Sequence, residues 1–379
     1  MKQLLALGLS LALLFSLTAC QQTAAPSAEP PEASSVPVAT PAEVSATDVA
    51  TPTDPADQST DPADVSDLLA EGLDGSSSTS TGPEPVEEPE EITVERAPRT
   101  FGLSMPSNAT LTQKATAKAL KKRIEAMGDT LIVAEKAENA DAQRSQLNSL
   151  AGQHVDAIFL CPTDAGALEE AVDDLERQNM PVFGFGDWDY TPEGMVSVVR
   201  SDEYNAGYVC GMDLADRCPE GGDVVVLELN TTDSMYERCQ GFMDAAEESG
   251  VDLEIADELE VTGSRKATAK AVKKALEDYP NLVGIFAASD RDAEGALRGV
   301  KGTSCLVYSG DGSPELKAQL GVNPNLGGLG AQSPLGMAKA LVQSVNDHLD
   351  GEAVEDEEIT GTFLITAKNV EKYGTDKWQ

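Results

Sequence analysis

Leu17-Thr18-Ala19-Cys20 is a run whose residue types and spacing point to one chemistry. A small residue stands directly before a cysteine, at the end of an apolar stretch from Leu4 to Leu17 that follows the basic Lys2. That stretch is short for a transmembrane helix, and the combination reads as a lipoprotein signal peptide over residues 1–19. Cleavage before Cys20 would free its thiol for lipid attachment. Each acyl CH₂ buried in a bilayer then adds about 0.8 kcal/mol of anchoring. The plainer alternative is an ordinary signal peptide with an incidental cysteine. Either way the remainder of the chain is read as exported, and with lipidation it sits extracytoplasmically on the outer face of a bacterial cell membrane.

Other chemistries are poorly served. Asp187 and Asp189 flank Trp188, and paired carboxylates beside an aromatic ring invite a glycosidase reading, but no carboxylate partner of defined geometry follows from the spacing. Of 6 Cys, one is Cys20; the other 6 − 1 = 5, namely Cys161, Cys210, Cys218, Cys239 and Cys305, are widely spaced with no C-x-x-C. Neither a zinc site nor a disulfide framework is signalled, and small buried apolar roles suit most of them. With only His154 and His348 present, histidine-based metal or acid–base sites are disfavoured. Gly184, Gly186 and Gly302 do not form a G-x-G-x-x-G after the first strand, so no dinucleotide cofactor is expected, nor any other. Asn108-Ala109-Thr110 and Asn230-Thr231-Thr232 fit the glycosylation pattern, but in a bacterial lipoprotein they are chance matches. A net charge of −38 repels phosphate backbones and excludes nucleic acid as a partner.

The elements that must position any site begin late in the chain. Residues 20–98 are the lipidated Cys20 followed by an acidic Pro/Ser/Thr-rich tether, with Thr53-Asp54-Pro55-Ala56-Asp57 repeated as Thr60-Asp61-Pro62-Ala63-Asp64. Such a composition cannot bury a core and is expected to be disordered, spanning about 50 Å r.m.s. as a flexible coil. From Arg99 onward short apolar runs alternate with amphipathic stretches, the grammar of a parallel α/β fold. Strands are expected at 100–105, 130–134, 156–160, 181–185, 196–199, 223–229, 253–260, 282–287, 304–309 and 326–331, and a last one from Ile359 to Thr366. Helices fall between them, with Thr163 or Asp164 capping the helix that starts near Ala165. Two similar α/β halves in series predict two lobes, residues 99–202 plus 333–357 and residues 203–332 plus 358–379. A cleft should lie at the carboxyl ends of their strands.

Several of these residues resemble a known family. The run Thr100 to Gly128, Cys161-Pro162-Thr163-Asp164, Arg238-Cys239-Gln240-Gly241-Phe242, Gly310-Asp311-Gly312-Ser313-Pro314 and Gln332 look like the periplasmic sugar-binding proteins of the ribose-binding type. The match runs from about Thr100 to Lys368 and rests on order and spacing, not on a single motif. It implies the type I periplasmic binding protein fold: α/β, two Rossmann-like lobes with parallel sheets joined by a three-segment hinge. It further implies a monomer that hands a small solute to an ABC permease.

Carried onto this chain, the family's cleft positions fall on Thr110, Thr112 and Gln113 after the first strand and on Asp187 and Trp188 after the fourth. In the second half they fall on Arg238, on Ser289 and Asp290, on Asp311 and on Gln332. The residue types suit the task independently. A sugar hydroxyl both donates and accepts, so carboxylates receive its proton while Arg and Gln donate to its oxygen. The apolar face of a pyranose favours a flat ring, and Trp188 is one of only 2 Trp. This chain departs from the family where aromatic rings commonly follow the first strand: it has Thr110, Thr112 and Gln113 instead. Tyr190 and Tyr236 are the rings available as substitutes. Asp311 between two glycines has a turn residue as its alternative reading, and Arg238 a charge on a solvated helix face.

The reading is therefore a lipid-anchored, non-enzymatic solute-binding protein taking a sugar, a polyol or a similar polar solute. A sensory lipoprotein that reports its ligand to a membrane receptor or kinase is the alternative, and a carbohydrate-acting enzyme a third. A transcriptional repressor with this body would carry a DNA-binding helix pair where this chain has an apolar leader and a tether.

Overall fold

Ala157–Leu160 and Val182–Phe185 are apolar and buried at every position, which only a strand covered on both faces tolerates. The computed structural model describes residues 83–87, 89, 96–188, 190–228 and 232–379. The signal peptide, Cys20 and most of the tether expected from the sequence lie outside the described residues.

In chain order the first half contains β1 (Thr100–Ser104), α1 (Leu111–Ala126), β2 (Thr130–Val133), α2 (Ala140–Gly152), β3 (Ala157–Leu160), α3 (Ala165–Arg177), β4 (Val182–Phe185) and β5 (Ser197–Ser201). The second contains α4 (Glu203–Arg217), β6 (Gly222–Glu228), α5 (Asp233–Glu248), β7 (Leu253–Glu260), α6 (Arg265–Asp278), β8 (Leu282–Ala287), α7 (Asp290–Gly299), β9 (Leu306–Ser309), α8 (Pro314–Lys317) and β10 (Leu326–Ala331). Then come α9 (Pro334–Asp350), β11 (Glu357–Thr360), β12 (Phe363–Ile365) and α10 (Val370–Tyr373).

Two sheets of six strands result, in the orders β11-β5-β4-β3-β1-β2 and β12-β10-β9-β8-β6-β7. Every strand pair is parallel except β10 with β12. This is the α/β architecture expected, with one difference. The single last strand read over Ile359–Thr366 is two strands, β11 in the first sheet and β12 in the second. Gly361-Thr362 breaks the run, and Asn205 Nδ2 donates to Thr362 O at 2.9 Å, tying that break to α4. Ile359 and Thr360 thus pair within the first sheet, and this crossing falls a few residues later than the boundary at 357/358 expected from the sequence.

The chain passes between sheets at 201–203, at 332–333 and at 360–363. The crossing at Ser333 is braced from below: Ser333 Oγ donates to Gln379 O at 3.0 Å, and Lys317 Nζ donates to Lys377 O and Gln379 Oε1 at 2.6 Å each. Helix starts are fixed locally. Thr110 and Gln113 form a reciprocal capping box at α1, and Asp164 accepts from Ala167 N at α3, deciding between the two caps the sequence allowed.

Each sheet has an apolar core on both faces. In the second half α4 lies unusually close to α5, because Gly207 has no side chain: a Cβ there would stand 1.8 Å from Arg238 O. Cys161, Cys210, Cys239 and Cys305 are buried free thiols, and Cys218 is half-buried.

Candidate functional site

The loops that follow the strands of both sheets converge on a cavity of about 820 Å³. Residues just past β1, β4, β8, β9 and β10 line it, as do the first turns of α1, α4 and α5. That is the location where open parallel sheets bind ligands. Among the described residues no group of three or more His, Cys, Asp or Glu side chains could hold a metal, and no helix is long and apolar enough to cross a membrane.

Arg238, 4 % exposed on α5, is the centre of the second half's wall. Its Nε donates to Glu203 Oε2 at 2.6 Å, and its Nη1 donates to Asp311 Oδ1 and Ala288 O, both at 2.7 Å. Gln332 Nε2 reaches the same Glu203 carboxylate at 3.2 Å from the crossing after β10. The Gly207 contact makes this possible: it brings the first turn of α4, which carries Glu203, against the turn of α5 that carries Arg238. Asp311 is anchored on its other oxygen by Asp290 N, at the start of α7, at 2.9 Å.

On the facing side Gln113 and Asp187 act together. Gln113 Oε1 closes the capping box while its Nε2 donates to Asp187 Oδ2 at 2.9 Å. Gly186, at φ +91°, turns the chain out of β4 so that Asp187 meets it. Ser234 Oγ, on α5, donates to Asp187 Oδ1 at 3.4 Å, a hydrogen bond across the cleft.

Burial sets the electrostatics. It pushes the Glu203 carboxyl up to about 7, against the pull of Arg238. It likewise raises Asp187, opposed by the Arg238 charge and by the bonds from Gln113 and Ser234. Asp290 is pushed up to about 6 by burial and then by the neighbouring Asp311 charge. Arg238 is itself desolvated, but Glu203 and Asp311 hold it well above its ordinary value, so it stays charged.

A family model described as periplasmic binding protein domain matches residues 101–353. The chain belongs to this family. Among curated periplasmic binding protein relatives, the ribose import binding protein of Bacillus subtilis is 25 % identical over 259 residues, covering 68 % of this chain and 83 % of that one. The ribose import binding protein of Escherichia coli is 27 % identical over 246 residues, 62 % of this chain and 79 % of its own. Among solved structures, a sugar-binding protein of a Bacillus halodurans ABC transporter superposes with a TM-score of 0.66 at 19 % identity, over 72 % of this chain and 99 % of that one. A solute-binding protein from Actinobacillus succinogenes with bound D-allose gives 0.65 at 19 % identity, over 73 % and 100 %. At such identity these structures speak for the fold, which is the type I two-lobed arrangement the sequence resemblance implied. Solute binding for import, not catalysis, is what these relatives are named for.

Within this periplasmic binding protein the expected positions Thr110, Thr112, Gln113, Asp187, Arg238, Ser289, Asp290, Asp311 and Gln332 all line the cavity. Their side chains are not equally free. Ser289 Oγ donates to Asp292 Oδ2 and caps α7, and the Asp290 carboxylate receives Ser309 Oγ at 2.6 Å and Ser313 N at 2.7 Å. Both hold the loop rather than offering free groups. Thr112 is the opposite case: it is 6 % exposed, and its Oγ1 has no hydrogen-bond partner among the described residues.

Trp188 is not in the cavity wall. It is 2 % exposed in the apolar core with Leu160, Leu168, Val182 and Val198, and its Nε1 donates to Leu160 O at 3.3 Å. Adjacent residues leaving a strand point to opposite sides, so the turn that aims Asp187 into the cleft aims Trp188 away from it. Tyr190 and Tyr236 do not replace the missing ring either, for both are exposed and neither lines the cavity. The apolar wall comes from Phe185, Met235 and Met337 instead. Sequence reasoning also passed over Glu203, whose only outward signal is an acidic residue one position after the helix cap Asp202.

Proposed function

We propose that this protein captures one small polyhydroxylated, sugar-like solute in the cleft between its lobes and delivers it to an ABC permease. In this reading it is anchored to the outer face of the cell membrane through a lipid on Cys20. The observation that carries the binding reading is the donor and acceptor set on facing walls: Arg238, Glu203, Asp311 and Gln332 on one side, Gln113 and Asp187 on the other. Fixed carboxylates and amide or guanidinium donors in alternation suit vicinal hydroxyls, each of which donates once and accepts. Thr112 Oγ1 adds a polar group whose partner would be the solute. A cavity of about 820 Å³ is ample for a monosaccharide with bridging waters. The names of the ribose-binding relatives support the same solute class.

Closing the two walls on a solute would exclude water and give the permease a liganded shape to recognise. Calorimetry of the purified chain against pentoses, hexoses and polyols tests the reading. A stoichiometric partner bound below the millimolar range is expected, with affinity lost in Asp311→Ala. Metabolic labelling with a radioactive fatty acid tests the anchor: label should enter the chain and be absent from Cys20→Ala.

A further inference from the structure

Asp290, buried, and Asp187, Glu203 and Asp311, half-buried, share the cavity wall with one buried arginine. Arg238 is committed to Glu203 and Asp311. Asp311 also receives the backbone N–H that opens α7. Asp187 is left with Gln113 Nε2 and Ser234 Oγ, both neutral donors, and it makes no ion pair among the described residues. The other cations on the lining stand at the rim: Arg200 pairs with Glu357 and Arg265 with Glu294, while Lys114 and Arg291 are exposed. A desolvated carboxylate that shares the Arg238 charge with Glu203 and Asp311 and has no ion-pair partner of its own is costly, and a ligand that supplies one recovers that cost. A neutral hydroxyl would satisfy the hydrogen-bonding of Asp187 but not its charge.

A second observation points independently to a ligand at this place. Thr112, on the first turn of α1 beside Gln113, lines the same cavity, and its buried Oγ1 has no partner among the described residues.

We propose that the solute taken by this cleft is a polyhydroxylated amine, its ammonium received by Asp187 and its hydroxyls by the Arg238, Glu203, Asp311 and Gln332 wall. The inference rests on the sugar-type reading above and narrows it to a cationic member of that class. The apolar side of the cavity, Phe185, Met235 and Met337, would then face the carbon skeleton.

The test compares matched pairs by calorimetry on the full chain near neutral pH: D-glucosamine with D-glucose, D-galactosamine with D-galactose, and D-glucamine with D-glucitol. At least one amine is expected to bind tenfold or more tightly than its hydroxyl parent. Asp187→Asn, which keeps the shape and the acceptor oxygen, should shrink that preference to within about threefold. On the unaltered chain the preference should also fall as pH is raised through the amine's own titration, a readout that needs no substitution. Neutral parents that bind as tightly as the amines overturn the inference and leave the sugar-type reading standing. So does a preference that survives both Asp187→Asn and deprotonation of the amine. If no member of any pair binds and the wider sugar and polyol panel is also silent, the sugar-type reading fails and the inference with it.

Discussion

Replacing Arg238 with methionine keeps an unbranched stem of similar length but removes the guanidinium. Glu203 Oε2 then loses a 2.6 Å bond and Asp311 Oδ1 a 2.7 Å bond, both at a site where Arg238 is 4 % exposed. Removing one partner from a buried ion pair costs about 3–5 kcal/mol, because the remaining charge is uncompensated. Glu203 can escape that state by binding a proton. Relative to the unfolded chain, where a glutamate titrates at its ordinary 4.5, this costs about 1.4 kcal/mol per pH unit, hence about 4 kcal/mol near pH 7.5 and under 1 kcal/mol near pH 5. The sign follows from proton counts: above 4.5 the folded variant holds a proton that the unfolded chain has released, so stability falls as pH rises. In the unaltered protein Glu203, already pushed up to about 7, carries about 3 of those 4 kcal/mol near pH 7.5, so the bound proton adds about 1 kcal/mol to the variant's loss there and almost nothing near pH 5. Urea denaturation followed by circular dichroism at both pH values measures the difference. Arg238→Met should be destabilised by roughly 3–5 kcal/mol near pH 7.5 and by about 1 kcal/mol less near pH 5. An equal loss at both pH values, or a loss below about 1 kcal/mol at the higher one, would refute the buried ion-pair account.

Other substitutions probe the scaffold around this pair. Gly207→Ala places a methyl group against the Arg238 carbonyl, so α4 and α5 must part; a loss of roughly 1–3 kcal/mol is expected in denaturant titrations, together with weakened solute binding. Trp188→Ala should cost about 3–5 kcal/mol of stability while the folded fraction keeps its affinity, since the ring fills the core and not the cleft; normal stability with lost binding would reverse that placement. Thr112→Val removes a hydroxyl without a partner, so ligand-free stability should hold or rise by up to about 1 kcal/mol while calorimetry shows weaker binding. Of the five thiols from Cys161 onward, only half-buried Cys218 should react with a disulfide reagent under native conditions, because burial shields the other four and pushes their pKa values up.

The fold was legible because its strands are short runs of Val, Ile, Leu and Phe buried on both faces, with helices between them that carry their own caps. Thr110 with Gln113 and Asp164 with Ala167 are local signals that need no tertiary information. What failed was long-range. Ile359 to Thr366 is rich in β-branched residues and reads as one strand, and only its pairing partners reveal that Gly361-Thr362 sends it from one sheet to the other. The polar wall was legible as residue types standing just past strand ends. Trp188 was misplaced because composition identifies a ring but not its direction, and direction is set by the alternation of side chains leaving β4. Glu203 went unnoticed because an acidic residue in the first turn of a helix ordinarily answers the helix dipole. Its second role exists only because Gly207 lets α5 approach.

The central claim is that the cleft between the two sheets binds a polyhydroxylated solute through the Arg238 and Asp187 walls. Isothermal titration of the purified chain against a panel of sugars, polyols and amino sugars tests it most directly. One bound molecule per chain at sub-millimolar affinity is expected, with binding lost in Asp311→Ala. Heat from no member of the panel, or a bound sugar indifferent to Asp187, Arg238 and Asp311 alike, would contradict it.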